Sequence, residues 1–91
     1  MNAKQIIFHG EVQGEGFRYA VAHEAMNYDI KGEVENRADG TVEAKVIGDD
    51  DEIQDFLNAI IEGRWSEELE EIEIREIDVD ARHYTAGFRF H

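Results

Sequence analysis

The chain has 91 residues, a mass of 10.5 kDa and a formal net charge of -13 at pH 7. This length supports one small domain over residues 1–91, and a hydrophobic fraction of 42% is typical of a folded globule. The strong negative charge argues against nucleic acid or an anionic membrane as a partner, and the absence of cysteine excludes disulfides, thiolate zinc sites and a cysteine nucleophile.

The first predicted strand leads into a glycine-rich stretch. Residues 6–13 alternate between two faces, which is the two-residue period of a half-buried strand. Three glycines occur within seven positions, at Gly10, Gly14 and Gly16. Glycine adopts backbone conformations that a Cβ excludes, so successive N–H groups of this stretch can converge on one point.

A helix is predicted to begin at Phe17, because apolar residues recur on one helical face at Val21, Ala25 and Tyr28. The N-terminus of such a helix presents unpaired N–H groups and the positive end of its dipole, and both favour an anion. Arg18 adds a planar, permanently charged group suited to a phosphate or a carboxylate. On these residues alone, an anion site and a tight turn with a solvated arginine are equally open.

A β-hairpin is predicted after this helix. Residues 30–36 and 42–46 each alternate between apolar or small residues and charged ones. The connection between them ends in Asp39-Gly40, which supplies the positive φ of a tight return, so we expect the two strands to pair antiparallel. Asn36 lies at the end of the first strand, on the same face as Val34. Without further information, a turn role is the favoured interpretation of Asn36.

The clearest helical pattern follows Gly48. Asp49 and Glu52 resemble a capping box at its start, and Gly63 is placed to end it. The acidic run at residues 49–52 lacks the ligand spacing of a calcium loop and is better explained by the helix dipole. The predicted buried stripe consists of Ile53, Phe56, Leu57, Ile60 and Ile61.

The last third of the chain carries two further strand patterns. We expect Trp65 to cover an edge of the core. Ile72 and Ile74 begin a strand whose phase then changes, which predicts a bulge or a strand end near residues 75–76. The closing strand alternates at Tyr84, Ala86, Phe88 and Phe90.

The order of the elements predicts the fold class. Strand, helix, strand, strand, helix and strand, with a further terminal strand, give an α+β sandwich with an antiparallel sheet of four to five strands and two helices on one face. Right-handed crossovers make this arrangement ferredoxin-like.

Two separate motifs carry a resemblance to a known family. Residues 10–18, Gly-Glu-Val-Gln-Gly-Glu-Gly-Phe-Arg, resemble the signature loop of the acylphosphatase family. A second family element follows at residues 32–36, Gly-Glu-Val-Glu-Asn, and then Asp39-Gly40. The resemblance covers nearly the whole chain and implies the same ferredoxin-like fold. It also implies hydrolysis of acyl phosphates to a carboxylate and phosphate by direct attack of a water, without a cofactor.

The resemblance assigns roles to residues of both motifs. It implies that Arg18 holds the phosphate and that Asn36 holds the attacking water, which makes these two the catalytic residues. The implied substrate-binding residues are Gln13, Gly14, Glu15, Gly16, Phe17 and Arg18. The implied partners are a small acyl phosphate and inorganic phosphate, as product or inhibitor. Because an acyl phosphate carries a good leaving group, neither a metal nor a strong general base is required.

The chain departs from the family pattern at acidic positions. Glu15 stands where the family typically has valine, Glu11 and Glu35 stand where a basic residue is common, and Glu33 replaces an aromatic or small residue. One carboxylate at about 6 Å opposes each unit of phosphate charge by roughly 2–3 kcal/mol at an effective dielectric near 20. The alternative function is therefore a catalytically weak or inactive acylphosphatase-like module that binds an anion or a cationic partner.

No metal site is predicted. The four histidines lie far apart in the sequence, and no pair shows the i, i+4 spacing of helical ligands. These histidines are His9, His23, His83 and His91. The paired glutamates at 67–68 and 70–71 are predicted to form a solvated face rather than a catalytic pair.

The remaining expectations concern location and association. No apolar run approaches a membrane span, and residues 1–5 lack the apolar core of a signal peptide, so we expect a cytoplasmic protein. The abundant charge leads us to expect a monomer, since charged edge strands resist pairing. The acidity itself has three open explanations: solubility, a salt-adapted host and a cationic partner.

Overall fold

The structure is a computed structural model that describes residues 2–14, 16–78 and 88–90. They form five strands and two helices. In chain order these are β1 (Asn2–Gly10), α1 (Phe17–Ala25), β2 (Ile30–Asn36), β3 (Val42–Gly48), α2 (Asp50–Glu62), β4 (Leu69–Glu76) and β5 (Phe88–Phe90).

The strands form one sheet in the order β4-β1-β3-β2-β5. The pairs β4-β1, β1-β3 and β3-β2 are antiparallel, which confirms the predicted antiparallel sheet of the α+β class. The fifth strand differs from the expected direction, because β5 pairs in parallel with β2 through Gly32 and Phe88. Strands β4 and β2 run in opposite directions, so β5, which follows β4 and reverses its direction, runs parallel to β2. Tyr84 and Ala86 of the predicted closing strand lie outside the described residues.

The core lies between one face of the sheet and the two helices. In β1, Ile6 and Phe8 are fully buried and pair with Ala44 and Val42 of β3, so all four side chains share one face. Buried side chains of the two helices pack against these strand residues and complete the hydrophobic core. Their buried members are Phe17, Val21, Ala25, Ile53, Phe56, Leu57 and Ile60. Both predicted helices therefore pack on a single face of the sheet, as expected.

The predicted hairpin is confirmed: β2 has the predicted bounds, and β3 begins as predicted at Val42 and extends two residues further, to Gly48. Strand β2 ends at Asn36, and the backbone N–H of Arg37 donates a hydrogen bond to the carbonyl of Thr41 at 2.9 Å. Gly40 adopts a φ of 93°, the positive value that the Asp-Gly dipeptide predicted. The end of β2 is thus held rigidly beside the start of β3.

Helix α2 forms as predicted, but its first turn is satisfied differently. Asp49 is the N-cap residue and makes no side-chain capping bond, so the expected capping box does not form. The Glu52 carboxylate instead accepts a hydrogen bond from the backbone N–H of Asp29 at 2.7 Å. This bond ties the α1–β2 turn to α2. At the other end, Gly63 ends the helix with an ordinary φ of -88°, and Ile61 of the predicted stripe is 42% exposed.

Strand β4 ends at Glu76, which confirms the predicted strand end. A second irregularity was not predicted: the pairing with β1 shifts register between His9 and Gly10, so that Glu70 becomes an extra residue on β4. A Cβ on Gly10 would lie 2.0 Å from the carbonyl oxygen of Glu68. Only glycine permits this close approach. Within the described residues, no helix is long and apolar enough to cross a membrane.

Candidate functional site

A cavity of about 260 Å³ lies where the glycine-rich loop, the start of α1 and the end of β2 meet. Its lining residues are Val12, Gly14, Gly16, Phe17, Arg18, Tyr19 and Asn36. The fold thus brings the two sequence motifs, which are separated along the chain, to one place. None of the described lining residues is histidine, aspartate or glutamate.

Phe17 fixes the start of α1 against the core. Its side chain is fully buried and meets the rings of Phe8 and Trp65 edge to face, with centroid distances of 5.1 Å and 5.2 Å. Edge-to-face pairs place the positive ring edge on the negative ring face and add to the burial energy. Trp65 is buried, as expected for a residue that covers the core. The first residue of the helix therefore cannot move without disturbing the core.

Gly16 determines how the loop enters the helix. It is the N-cap residue of α1, with φ 83° and ψ 11°, in the left-handed region. Its carbonyl accepts the first helical bond, from the N–H of Ala20 at 3.0 Å, and no described side chain caps the helix. Gly14 has nearly the same conformation, with φ 81°. A helix N-terminus without a side-chain cap, next to a left-handed glycine, presents backbone N–H groups to an incoming anion.

Arg18 and Asn36 both line the cavity and come from two different elements. Arg18 is the second residue of α1 and is half-buried, while Asn36 is the last residue of β2 and is exposed. The guanidinium offers a fixed fork of N–H donors, and the amide offers both a donor and an acceptor. The site therefore combines a permanent positive charge with a neutral group that can hold a water.

Gln13 holds the loop against the hairpin. Its side-chain Nε2 donates hydrogen bonds to the carbonyls of Arg37 and Thr41, at 2.7 Å and 2.8 Å. The family resemblance implies that Gln13 binds substrate as part of the loop, and the structure adds that its side chain is bonded to the backbone next to Asn36. No sequence signal indicated this tie, because the two partners are carbonyls more than twenty positions away.

The hairpin beside Asn36 is reinforced by a small polar turn. The Asp39 carboxylate accepts hydrogen bonds from the hydroxyl and the backbone N–H of Thr41, at 2.6 Å and 3.0 Å. These bonds to Thr41 hold the pKa of Asp39 below its usual range. The turn that follows Asn36 is therefore anchored by its own local bonds as well as by Gln13.

The acidic departures noted in the sequence lie in different places. Glu11 lines a separate cavity with Arg64, Trp65 and Glu68. Glu35 pairs with Glu43, and Glu33 pairs with Lys45, which places both on the sheet face opposite the helices. Glu15 lies outside the described residues. None of Glu11, Glu33 and Glu35 lines the cavity that holds Arg18 and Asn36.

Tyr19 is a lining residue that sequence reasoning missed. It is the third residue of α1, 64% exposed, and its ring stacks on that of His23 with centroids 6.2 Å apart. Its position next to Arg18 in the first helical turn was the available signal. An exposed aromatic ring at the rim of the cavity offers an apolar surface to whatever group extends out of it.

Comparison with known proteins assigns a family to this arrangement. A family model described as acylphosphatase matches residues 4–90. An acylphosphatase from Geobacillus kaustophilus is 40% identical over 79 residues, which cover 87% of this chain and 84% of the relative. An acylphosphatase from Staphylococcus aureus is 44% identical over 73 residues, which cover 74% of this chain and 81% of that protein.

The fold comparison agrees with the sequence comparison. The crystal structure of acylphosphatase from Bacillus subtilis superposes with a TM-score of 0.86 at 34% sequence identity. The superposition covers 100% of this chain and 99% of that chain. The likeness therefore extends over the sheet and both helices, and the predicted ferredoxin-like arrangement is confirmed.

Proposed function

Because the chain belongs to the acylphosphatase family and hydrolyses acyl phosphates, we propose that Arg18 binds the phosphoryl group of the substrate and that Asn36 positions the attacking water. The observation that carries the proposal is that both residues line one cavity together with the left-handed glycines Gly14 and Gly16. An anion held by the backbone N–H groups of the loop and by the guanidinium is within the same small space as the asparagine amide.

The chemistry requires positioning more than acid–base strength. Water attacks phosphorus and forms a new P–O bond, while the P–O bond to the acyl oxygen breaks and the carboxylate leaves with the bonding electron pair. The proton lost by the water ends on product phosphate or in solvent. Charge in the transition state spreads over the equatorial oxygens, which is the charge that backbone N–H donors and an arginine stabilise.

Asn36 suits the water because of its neutral amide. Its oxygen can accept a hydrogen bond from the water and so direct the oxygen lone pair towards phosphorus. A carboxylate at this position would repel the phosphate, whereas the amide does not. The exposed side chain at the rigid end of β2 allows a water to reach it from solvent.

The binding-module alternative has no observation in its favour. Its motivation was the acidic residues of the two motifs, yet Glu11 and Glu35 are absent from the lining of the cavity. Hydrolysis is therefore expected although Glu11 and Glu35 are acidic, because neither residue is part of the cavity wall. Glu15 lies outside the described residues. Its effect on activity is measured by the substitution Glu15→Val.

Further proposals concern the whole chain. We propose that residues 1–91 form a single acylphosphatase-like domain that acts as a cytoplasmic monomer. Inorganic phosphate, as the product, is expected to compete with the substrate for the loop and Arg18. The net charge of -13 supports the proposal that neither nucleic acid nor an anionic membrane is a partner.

The experiment that tests the site is hydrolysis of an aromatic acyl phosphate, with phosphate affinity measured in parallel by calorimetry. We expect Arg18→Ala to abolish both turnover and phosphate binding. We expect Asn36→Ala to lower kcat by at least about a hundredfold while phosphate affinity is retained. Arg75→Ala and Asn58→Ala, which remove the same side chains far from the cavity, are the matched controls.

Each outcome has a defined meaning. Wild-type turnover in Arg18→Ala or in Asn36→Ala would contradict the corresponding role. Loss of activity in the control variants as well would show that the effect comes from the fold and not from the cavity. Circular dichroism of every variant establishes that the compared proteins are equally folded.

A further inference from the structure

The sheet face opposite the helices carries a histidine and two glutamates close together. His9 of β1 pairs with Glu71 of β4, and Glu73 lies two residues further along β4, so all three side chains point to the same face. We propose that His9, Glu71 and Glu73 bind one divalent transition-metal ion of the zinc class. We call this group the His9 cluster.

The distances in the His9 cluster fit a single ion. One ligand atom from each residue can be chosen so that all three lie within 4.8 Å of one another. His9 Nε2 lies 3.7 Å from a carboxylate oxygen of Glu73. Zinc ligands about 2.1 Å from the metal lie roughly 3.4 Å apart in a tetrahedral site. Small rotations of the glutamates are sufficient to close this difference, since Glu71 is exposed.

The unpaired state of His9 Nε2 supports the site independently of the distances. This nitrogen is buried from solvent and has no hydrogen-bond partner among the described residues, although the side chain as a whole is 35% exposed. The 3.7 Å separation from Glu73 is too long for a hydrogen bond. Buried polar atoms are normally paired with protein, with water or with an ion. A metal at this point would satisfy the nitrogen and neutralise the two carboxylates together.

The ligand types favour a transition metal over calcium or magnesium. Imidazole nitrogen suits zinc, copper, nickel and related ions, whereas calcium and magnesium prefer oxygen ligands alone. Three protein ligands leave at least one position for water on this open face. Among the described residues, the positive side chains of this face lie to the side of the cluster: Arg75 is at the pair beyond Glu73, Lys45 lies beside Glu43, and Lys31 is on β2. None of these positive residues is paired with His9, Glu71 or Glu73 in the strand register, so none is placed to occupy the position of the ion.

The place of the His9 cluster in the fold indicates what the ion would do. The cluster joins β1 to the edge strand β4 at the residue before Gly10, where the register shifts and the glycine-rich loop begins. An ion that binds the folded state alone stabilises it by mass action. None of the three residues lines the cavity of Arg18 and Asn36. The ion would therefore stabilise the edge of the sheet and take no part in hydrolysis.

The test is zinc titration of the full chain after chelator treatment, in a buffer without phosphate. Calorimetry measures stoichiometry and affinity, and cobalt absorption spectra report the ligand field. We expect one zinc per chain and a Tm increase of about 10–20 °C at a free zinc concentration of a hundred times Kd. His9→Ala and Glu73→Gln are expected to weaken binding at least tenfold or so. Acyl phosphate hydrolysis should be the same with and without zinc.

Matched controls separate the His9 cluster from general attraction of cations to an acidic protein. His23→Ala removes an exposed histidine on α1, and Glu76→Gln removes a charge at the end of β4. Unchanged zinc affinity in both supports the site. The proposal is overturned by any of three results: no zinc binding below about 1 mM, equal weakening in His23→Ala and His9→Ala, or full affinity in Glu73→Gln. Glu73→Gln preserves side-chain size, so the test does not depend on His9→Ala being folded.

Discussion

The side-chain amide of Gln13 donates a hydrogen bond to the backbone carbonyl of Thr41 at 2.8 Å, and so fastens the glycine-rich loop to the β2–β3 hairpin. The same nitrogen donates to the carbonyl of Arg37, the residue that follows Asn36. One half-buried side chain therefore sets the distance between the residues proposed to bind phosphate and the residue proposed to hold water.

Gln13→Ala should lower kcat about ten- to a hundredfold, because a shift of about 1 Å between reacting groups is enough for such a loss. Phosphate affinity should change much less, since the loop donors and Arg18 remain. Steady-state kinetics combined with phosphate titration measures the two quantities separately. Gln54→Ala, which removes an exposed amide on α2, is the control. A large loss of phosphate affinity with kcat unchanged would instead indicate direct substrate contact by Gln13.

Gly16→Ala should impair both stability and phosphate binding. Alanine in the left-handed region costs about 1–2 kcal/mol, and relief of that strain would rotate the N–H groups at the start of α1. Gly16→Asn should be milder, because asparagine tolerates this conformation. Urea denaturation and phosphate titration of both variants provide the check. Equal behaviour of the two variants would show that a side chain of any kind, rather than backbone strain, is responsible.

The sequence was sufficient for features that depend on neighbours along the chain. The boundaries of β2, the Asp39-Gly40 turn and the buried stripe of α2 follow from periodicity and turn chemistry, and all three are present, with Ile61 as the exposed exception in the stripe. Resemblance to a family assigned Arg18 and Asn36 to one site, whereas the residue pattern alone favoured a turn role for Asn36.

The sequence was insufficient where partners come from distant segments. The Glu52 carboxylate was expected to cap its own helix and bonds Asp29 instead, because tertiary packing brings that N–H closer. His9 was expected to be an isolated histidine, but strand pairing places it beside Glu71. Histidine spacing along one helix cannot indicate ligands that gather across two strands. Long-range register, not local pattern, decides such contacts.

Phe17→Leu should lower the free energy of unfolding by about 1–2 kcal/mol. The substitution keeps most of the buried volume but loses two edge-to-face contacts, with Phe8 and Trp65. Trp65 is the one tryptophan of the chain, so its fluorescence follows urea unfolding directly. Met26→Leu, at a position 77% exposed, should change stability by less than about 0.5 kcal/mol. An equal loss in both variants would contradict an anchoring role for Phe17.

Asp39→Ala should destabilise the hairpin in a pH-dependent manner. Hydrogen bonds from Thr41 lower the pKa of Asp39 in the folded state, so its contribution to stability is present above the ordinary carboxyl pKa and is lost as pH falls through the lower folded value. The Tm difference between wild type and Asp39→Ala should therefore be constant well above the ordinary carboxyl pKa of about 4 and should shrink as pH falls below it. Thermal unfolding monitored by circular dichroism as a function of pH measures this difference.

Thr41→Val removes the hydroxyl donor at 2.6 Å, so this variant should show part of the same pH dependence. Its effect on Tm should not add to that of Asp39→Ala in the double variant. Full additivity, or a Tm difference that does not shrink at low pH, would mean that the Asp39–Thr41 bonds do not stabilise the turn that follows Asn36.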